Sequence, residues 1–202
     1  MRFHLKSIVA VFALICSASP MAGAADLNFT VQQVGADVVT SFTGFVNTTA
    51  LTTSGNASGS GLFRGSFFQG GSVIMFGPQN SYTNYTGLNG SGALGSGGRT
   101  LADINTGTLS GIISNGSSSY LLLPNSYVSG SSITGTSTYT GKTLSDLGMT
   151  VGTYNWTWGS GVNAGTAQLT ISAVPEPSTY ALAAIATGAM GVLARRRKAS
   201  RG

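Results

Sequence analysis

Tyr154-Asn155-Trp156-Thr157-Trp158 and Ala167-Gln168-Leu169-Thr170-Ile171-Ser172-Ala173 are the two stretches whose reading decides the fold. In the first, Tyr154, Trp156 and Trp158 fall on one side of an extended chain, with Asn155 and Thr157 on the other. In the second, Ala167, Leu169, Ile171 and Ala173 alternate with Gln168, Thr170 and Ser172. A period of two is the pattern of a half-buried β-strand, because successive side chains point to opposite faces. Gly159-Ser160-Gly161-Val162-Asn163-Ala164-Gly165 lies between the two stretches and reads as the loop of a hairpin. Large aromatics at this spacing beside a Leu/Ile strand usually form a core face. If exposed instead, Tyr154, Trp156 and Trp158 would make a platform for sugar rings.

Working back from this hairpin, further short runs read as strands: residues 27–31, 38–46, 62–68, 72–76, 82–88, 101–113, 120–123, 127–128 and 133–139. Gln69-Gly70-Gly71 between two of them is a plausible hairpin turn. Residues 48–61 (TTALTTSGNASGSG) read as a loop or weak hairpin, and 89–98 (NGSGALGSGG) as the most linker-like stretch. Short strands at roughly ten-residue spacing predict an all-β body over 26–173, a β-sandwich or jelly-roll-like fold. Across 26–174, Gly, Ser, Thr and Asn make up 81 of 149 residues. The fifteen aromatics in the same stretch and its scarcity of charge argue for a folded domain over disorder.

The two ends read differently. Arg2, His4 and Lys6 precede an apolar run of about a dozen residues, and Ala22-Gly23-Ala24 is a small-residue cleavage pattern before Ala25. Residues 1–25 are therefore expected to be a signal peptide, helical in its apolar part and cut by signal peptidase. Ile15 before Cys16 is too bulky for a lipoprotein signal. At the other end, Val174-Pro175-Glu176-Pro177 is followed by a thin apolar run over 180–194 and then Arg195-Arg196-Arg197-Lys198. Each proline pushes the residue before it to extended backbone, so Val174–Pro177 should form a stiff spacer. Residues 178–194 at about 1.5 Å per residue span roughly 26 Å, the lower edge for a transmembrane helix. The basic cluster would stay cytoplasmic and hold the body outside.

The order Pro-Glu-Pro, Ser-Thr, about fifteen apolar residues and an Arg-rich end resembles the PEP-CTERM sorting signal of Gram-negative bacteria, over residues 174–198. The resemblance implies recognition of Pro175-Glu176-Pro177 by an exosortase, cleavage nearby, and passage from the inner membrane to the cell surface or extracellular matrix. It also implies a link to exopolysaccharide and biofilm. On this reading the domains are 1–25, 26–173 and 174–202, the last being the sorting tail.

Charge and residue types narrow what the body does. The whole chain carries +5, but seven of its ten basic residues lie in the two end segments. The body keeps Arg64, Arg99 and Lys142 against Asp26, Asp37, Asp103 and Asp146, so no electrostatic footprint for nucleic acid remains. The single Cys and single His are Cys16 and His4, both in the signal peptide. The body thus has no disulfide, no Cys/His metal site and no Ser-His-Asp or Cys-His catalysis. Asp103-Ile104-Asn105-Thr106-Gly107 opens like a calcium loop but lacks the carboxylates that must follow. Asp37, Asp103 and Asp146 are the carboxylates from which a hydrolase pair would have to come.

The leading expectation is a non-catalytic, exported structural protein with no cofactor. Its partners would be exosortase, signal peptidase, the inner membrane in passing, and exopolysaccharide. The alternatives are a carbohydrate-binding module on Tyr154, Trp156 and Trp158, an ice-binding protein built on Thr-rich strands such as 133–140, and a secreted hydrolase.

Overall fold

The computed structural model describes residues 25–67, 71–115 and 118–173. Residues 1–24, 68–70 and 116–117 and the tail from Val174 lie outside the described residues, and with them the signal and transmembrane helices and most of the Gln69–Gly71 turn expected above. The described chain is all-β, with two sheets.

The first sheet has six strands in the order β12-β13-β1-β2-β11-β8. They are β1 (Ala25–Val34), β2 (Asp37–Phe45), β8 (Ile104–Gly107), β11 (Ser132–Tyr139), β12 (Gly152–Trp158) and β13 (Gly165–Ala173). The hairpin read from the sequence is β12–β13, antiparallel, with Tyr154 opposite Leu169, Trp156 opposite Ala167 and Trp158 opposite Gly165. β1 and β13 run parallel, Ala25 beside Gly165 and Gln33 beside Ala173. The folded body therefore begins at one end of this sheet and ends at the other, roughly 30 Å away at about 3.3 Å per residue.

The second sheet has seven strands in the order β3-β6-β10-β9-β5-β4-β7. They are β3 (Thr52–Gly59), β4 (Leu62–Phe67), β5 (Gly71–Phe76), β6 (Asn80–Leu88), β7 (Thr100–Leu101), β9 (Ser110–Ser114) and β10 (Ser119–Pro124). β3 falls where the sequence suggested a loop or a weak hairpin. Its described side chains are polar and exposed along nearly its whole length, so no hydrophobic alternation announces it; pairing with β6 makes it a strand. Tyr127 and Val128 are not in a strand. The Tyr127 hydroxyl instead accepts the Val46 N–H at 2.8 Å and lies 2.8 Å from the Ser131 carbonyl to which it can donate.

The sheets pack face to face on one core, drawn from Leu27, Phe29 and Val31 of β1, Phe42 of β2, Ile74 and Phe76 of β5, Leu121 and Leu123 of β10, and Trp156 and Trp158 of β12. Phe29 and Phe76 stack across the gap with ring centroids 4.9 Å apart. Polar bonds tie the layers as well. Buried Ser137 of β11 accepts the Gly77 N–H at 2.9 Å, and Asn89 and Thr157 exchange two backbone bonds of 2.9 Å beside β6 and β12. The architecture is a β-sandwich. Its parallel β1–β13 pair separates it from a jelly roll, which is wholly antiparallel.

The second sheet is rolled. β3 is its edge and β4 its next-to-last strand, yet only Ser60 and Gly61 join them. Laid flat, five strand spacings would separate the two by ~24 Å. Three Cα steps reach at most ~11 Å. The sheet must therefore curl until β3 approaches β5, and Gly59 does so: a Cβ there would lie 2.6 Å from the terminal methyl of Met75 and 3.3 Å from the Tyr82 ring. A second, smaller core of Leu62, Val73, Met75, Leu109 and Leu122 sits inside the roll, with Tyr82, Ile113 and Tyr120 packed on it.

Candidate functional site

The aromatic face of β12 is core. Trp156 and Trp158 are 0% and 2% exposed, and no ring face is left for a sugar. Trp158 lies over Gly165 of the neighbouring strand, where a Cβ would overlap the indole, and its Nε1 donates to the Asn47 carbonyl at 3.3 Å. Tyr154 is half-buried against the same core and donates its hydroxyl to the Thr150 carbonyl at 2.9 Å. The platform read from the sequence thus becomes packing, for the reason weighed there: period-two aromatics beside an aliphatic strand face inward.

The aspartates are engaged by backbone. Asp103 accepts the Thr140 N–H, Asp37 the Gly141 N–H, and Asp146 the Thr143 N–H, at 2.8, 2.8 and 2.9 Å. Three acids far apart in sequence therefore converge on one turn, residues 140–143. Gln33 adds to the clasp, accepting the Leu144 N–H at 2.9 Å and donating toward the Asp37 and Lys142 carbonyls. The Asp146 carboxyl is held below its ordinary range by the Thr143 amide first and the Thr143 hydroxyl second. The segment that opened like a calcium loop is strand β8, and Asn105 spends its Oδ1 on the Ser137 hydroxyl at 2.6 Å.

What the sequence reading missed is the inner face of the rolled sheet. An antiparallel sheet facing water on one side should alternate apolar and polar. β5 does not: all six of its residues are buried, Ile74 and Phe76 toward the main core, Val73 and Met75 into the roll. Register carries the apolar rows across the sheet, Leu62 opposite Met75, Val73 opposite Ile113, and Ile113 opposite Tyr120. A cavity of about 120 Å³ opens on this face, lined by Leu62, Arg64, Val73, Met75, Tyr82, Arg99 and Ile113. Burial raises the pKa of the Tyr82 phenol, so the hydroxyl remains protonated well above neutral pH. The available signal was the unbroken run of Val73-Ile74-Met75-Phe76, which has no polar parity and so marks a strand covered on both faces.

The sorting residues Val174, Pro175, Glu176 and Pro177, the basic cluster Arg195, Arg196, Arg197 and Lys198, and the signal cleavage residues Ala22 and Ala24 lie outside the described residues, as does the side chain of Ala25. The last described strand ends at Ala173, where the tail begins. Residues 173–198 match the PEP-CTERM protein-sorting motif. A tail of this kind implies an exported, membrane-anchored precursor and processing by an exosortase. No curated protein and no solved structure matches the chain.

Proposed function

We propose that the chain is a non-catalytic surface or matrix protein of a Gram-negative bacterium, cut near Pro175-Glu176-Pro177 and left in the exopolysaccharide or biofilm outside the cell. The observation that carries this reading is the junction between fold and motif. The motif match starts at Ala173, the last residue of β13, so cleavage beyond it leaves every strand of the sandwich whole. A non-catalytic role is supported by the chemistry of the body: Asp37, Asp103 and Asp146 each hold a backbone amide of one turn, a structural task.

Mass spectrometry of the exported protein's C-terminus, from strains with and without the exosortase, tests the proposal. The expected product ends close to Pro175–Pro177 only when the exosortase is present. Full-length protein with an intact tail in the inner membrane of an exosortase-producing strain would refute it.

A further inference from the structure

The sorting motif leaves the sandwich with almost no slack. β13 is an inner strand of the first sheet, with β1 on one side and β12 on the other. It is paired to its end, Ile171 opposite Gly152 and Ala173 beside Gln33. An enzyme that reads an extended segment ahead of its cleavage point therefore finds that segment already committed to the ladder. Only Val174 stands between the ladder and Pro175-Glu176-Pro177. Two Cα steps from Ala173 to Pro175 reach at most ~7.6 Å. The neighbouring strands lie ~4.8 Å to either side of β13, and the second sheet ~10 Å behind it. Whatever closes on Pro175 must bear on this end of the body.

The surface it meets is apolar and uncharged. Val34 ends β1 directly after Gln33 and is 52% exposed; Val151 directly precedes Gly152 of β12 and is 58% exposed. Single exposed valines are ordinary on a surface. These two are set apart by their place, one on each of the strands that flank the exit of the tail. Tight hairpin turns are normally built of Asn, Asp and Gly. The β1–β2 turn is Gly35-Ala36 after Val34, and all three residues are exposed, as is Ala173. The acids of this end, Asp37, Asp103 and Asp146, are spent on the backbone of residues 140–143. We propose that the rim formed by Val34, Ala36, Val151 and Ala173 is a docking surface for the exosortase, seated against an apolar lip of its cleft while the cleft holds Pro175-Glu176-Pro177. A lipid surface is the other occupant such a rim could take. The enzyme is favoured by reach, because one residue separates the sheet from the motif while six, 174–179, separate it from the apolar run. The docking surface rests on the export reading above and adds the body to what the enzyme recognises.

Pulse–chase labelling of the full-length protein in an exosortase-producing strain reads the rate at which the precursor loses its tail. The double variant Val34→Lys and Val151→Lys should slow that loss about tenfold or more, since it denies the enzyme the exposed area of both valines. Val162→Lys, in the loop at the other end of β13, should be cut at the wild-type rate. Inserting about ten Gly and Ser residues between Ala173 and Val174 frees the motif from the rim and should also slow cutting. Benzoylphenylalanine in place of Val151 should crosslink to the exosortase on illumination, and in place of Val162 should not. Thermal melts of the purified precursors in detergent show whether the lysine variants fold; if the double variant does not, the insertion and the crosslink decide. The inference is overturned if the folded double variant or the insertion is cut as fast as wild type, or if the crosslink at 151 reaches lipid alone or nothing. Wild-type protein left uncut would refute the export reading and the docking surface with it. Wild-type protein cut normally, with a rim that tolerates lysine, would refute the docking surface alone.

Discussion

Gly165→Ala tests the packing that turns the β12–β13 hairpin into core. A Cβ at Gly165 would lie 2.6 Å from Trp158 Nε1 and closer still to the two neighbouring ring carbons. Trp158 is 2% exposed and donates to Asn47, so the ring has no free direction in which to retreat. Overpacking a core site of this kind costs about 1–3 kcal/mol. A weakened Trp158–Asn47 bond adds about 0.5–1.5 kcal/mol. Against these, replacing glycine by alanine inside a strand returns roughly 0.5–1 kcal/mol of backbone entropy. The net expectation is a loss of about 1–3 kcal/mol. For a domain of this size that lowers Tm by about 2–12 °C. Thermal melts by near-ultraviolet circular dichroism read both the stability and the indole environment. Gly92→Ala, where a Cβ meets nothing within 4 Å, is the matched control and should hold Tm or raise it by up to about 4 °C. A Gly165→Ala protein with unchanged or raised Tm and an unaltered indole spectrum would show that Trp158 does not rest on Gly165.

Three further outcomes follow from buried or clasping groups. Tyr139 is fully buried with an unpartnered hydroxyl, so Tyr139→Phe removes an unsatisfied group at constant shape and should raise stability by about 1 kcal/mol in a denaturant titration; a loss of that size would mean the hydroxyl has a partner. Ser137→Ala strands the Gly77 N–H between the sheets and should cost about 1–3 kcal/mol in the same assay, a neutral result telling against Ser137 as an inter-sheet tie. The Asp146 carboxyl, whose folded pKa is depressed, contributes stability that is present above its unfolded value and is lost as pH falls through the lower, folded value. Its carboxyl carbon should titrate below the ordinary range by NMR and move back toward it in Thr143→Val, which deletes the hydroxyl bond but keeps the amide; a wild-type midpoint at or above the ordinary value would contradict the bond.

Much of this protein is written locally. The period-two pattern of β12 and β13 and the β-rich runs of β1, β2, β4, β5, β6, β10 and β11 reflect a property of single strands, the opposition of neighbouring side chains, and so need no knowledge of partners. The tail is more local still: its three parts in fixed order, over residues 173–198, match the sorting motif from sequence alone. Tertiary structure decided the rest. β3 is a strand only because β6 pairs with it, and its Thr, Ser, Asn and Gly side chains carry no pattern of burial to read. Asp146 caps the turn 140–143 from three residues away, but the arrival of Asp37 and Asp103 at the same turn depends on strand order, since they come from β2 and from the residue before β8. The pocket depends on it most. Arg64 and Arg99 are 35 residues apart in sequence and come to line one cavity beside the paired β4 and β7, while the two-residue link from β3 to β4 rolls the sheet around Met75. Burial patterns report which face of a strand is covered; which strands lie side by side, and how sharply a sheet must bend to join them, is fixed by long-range pairing that one strand's sequence does not contain.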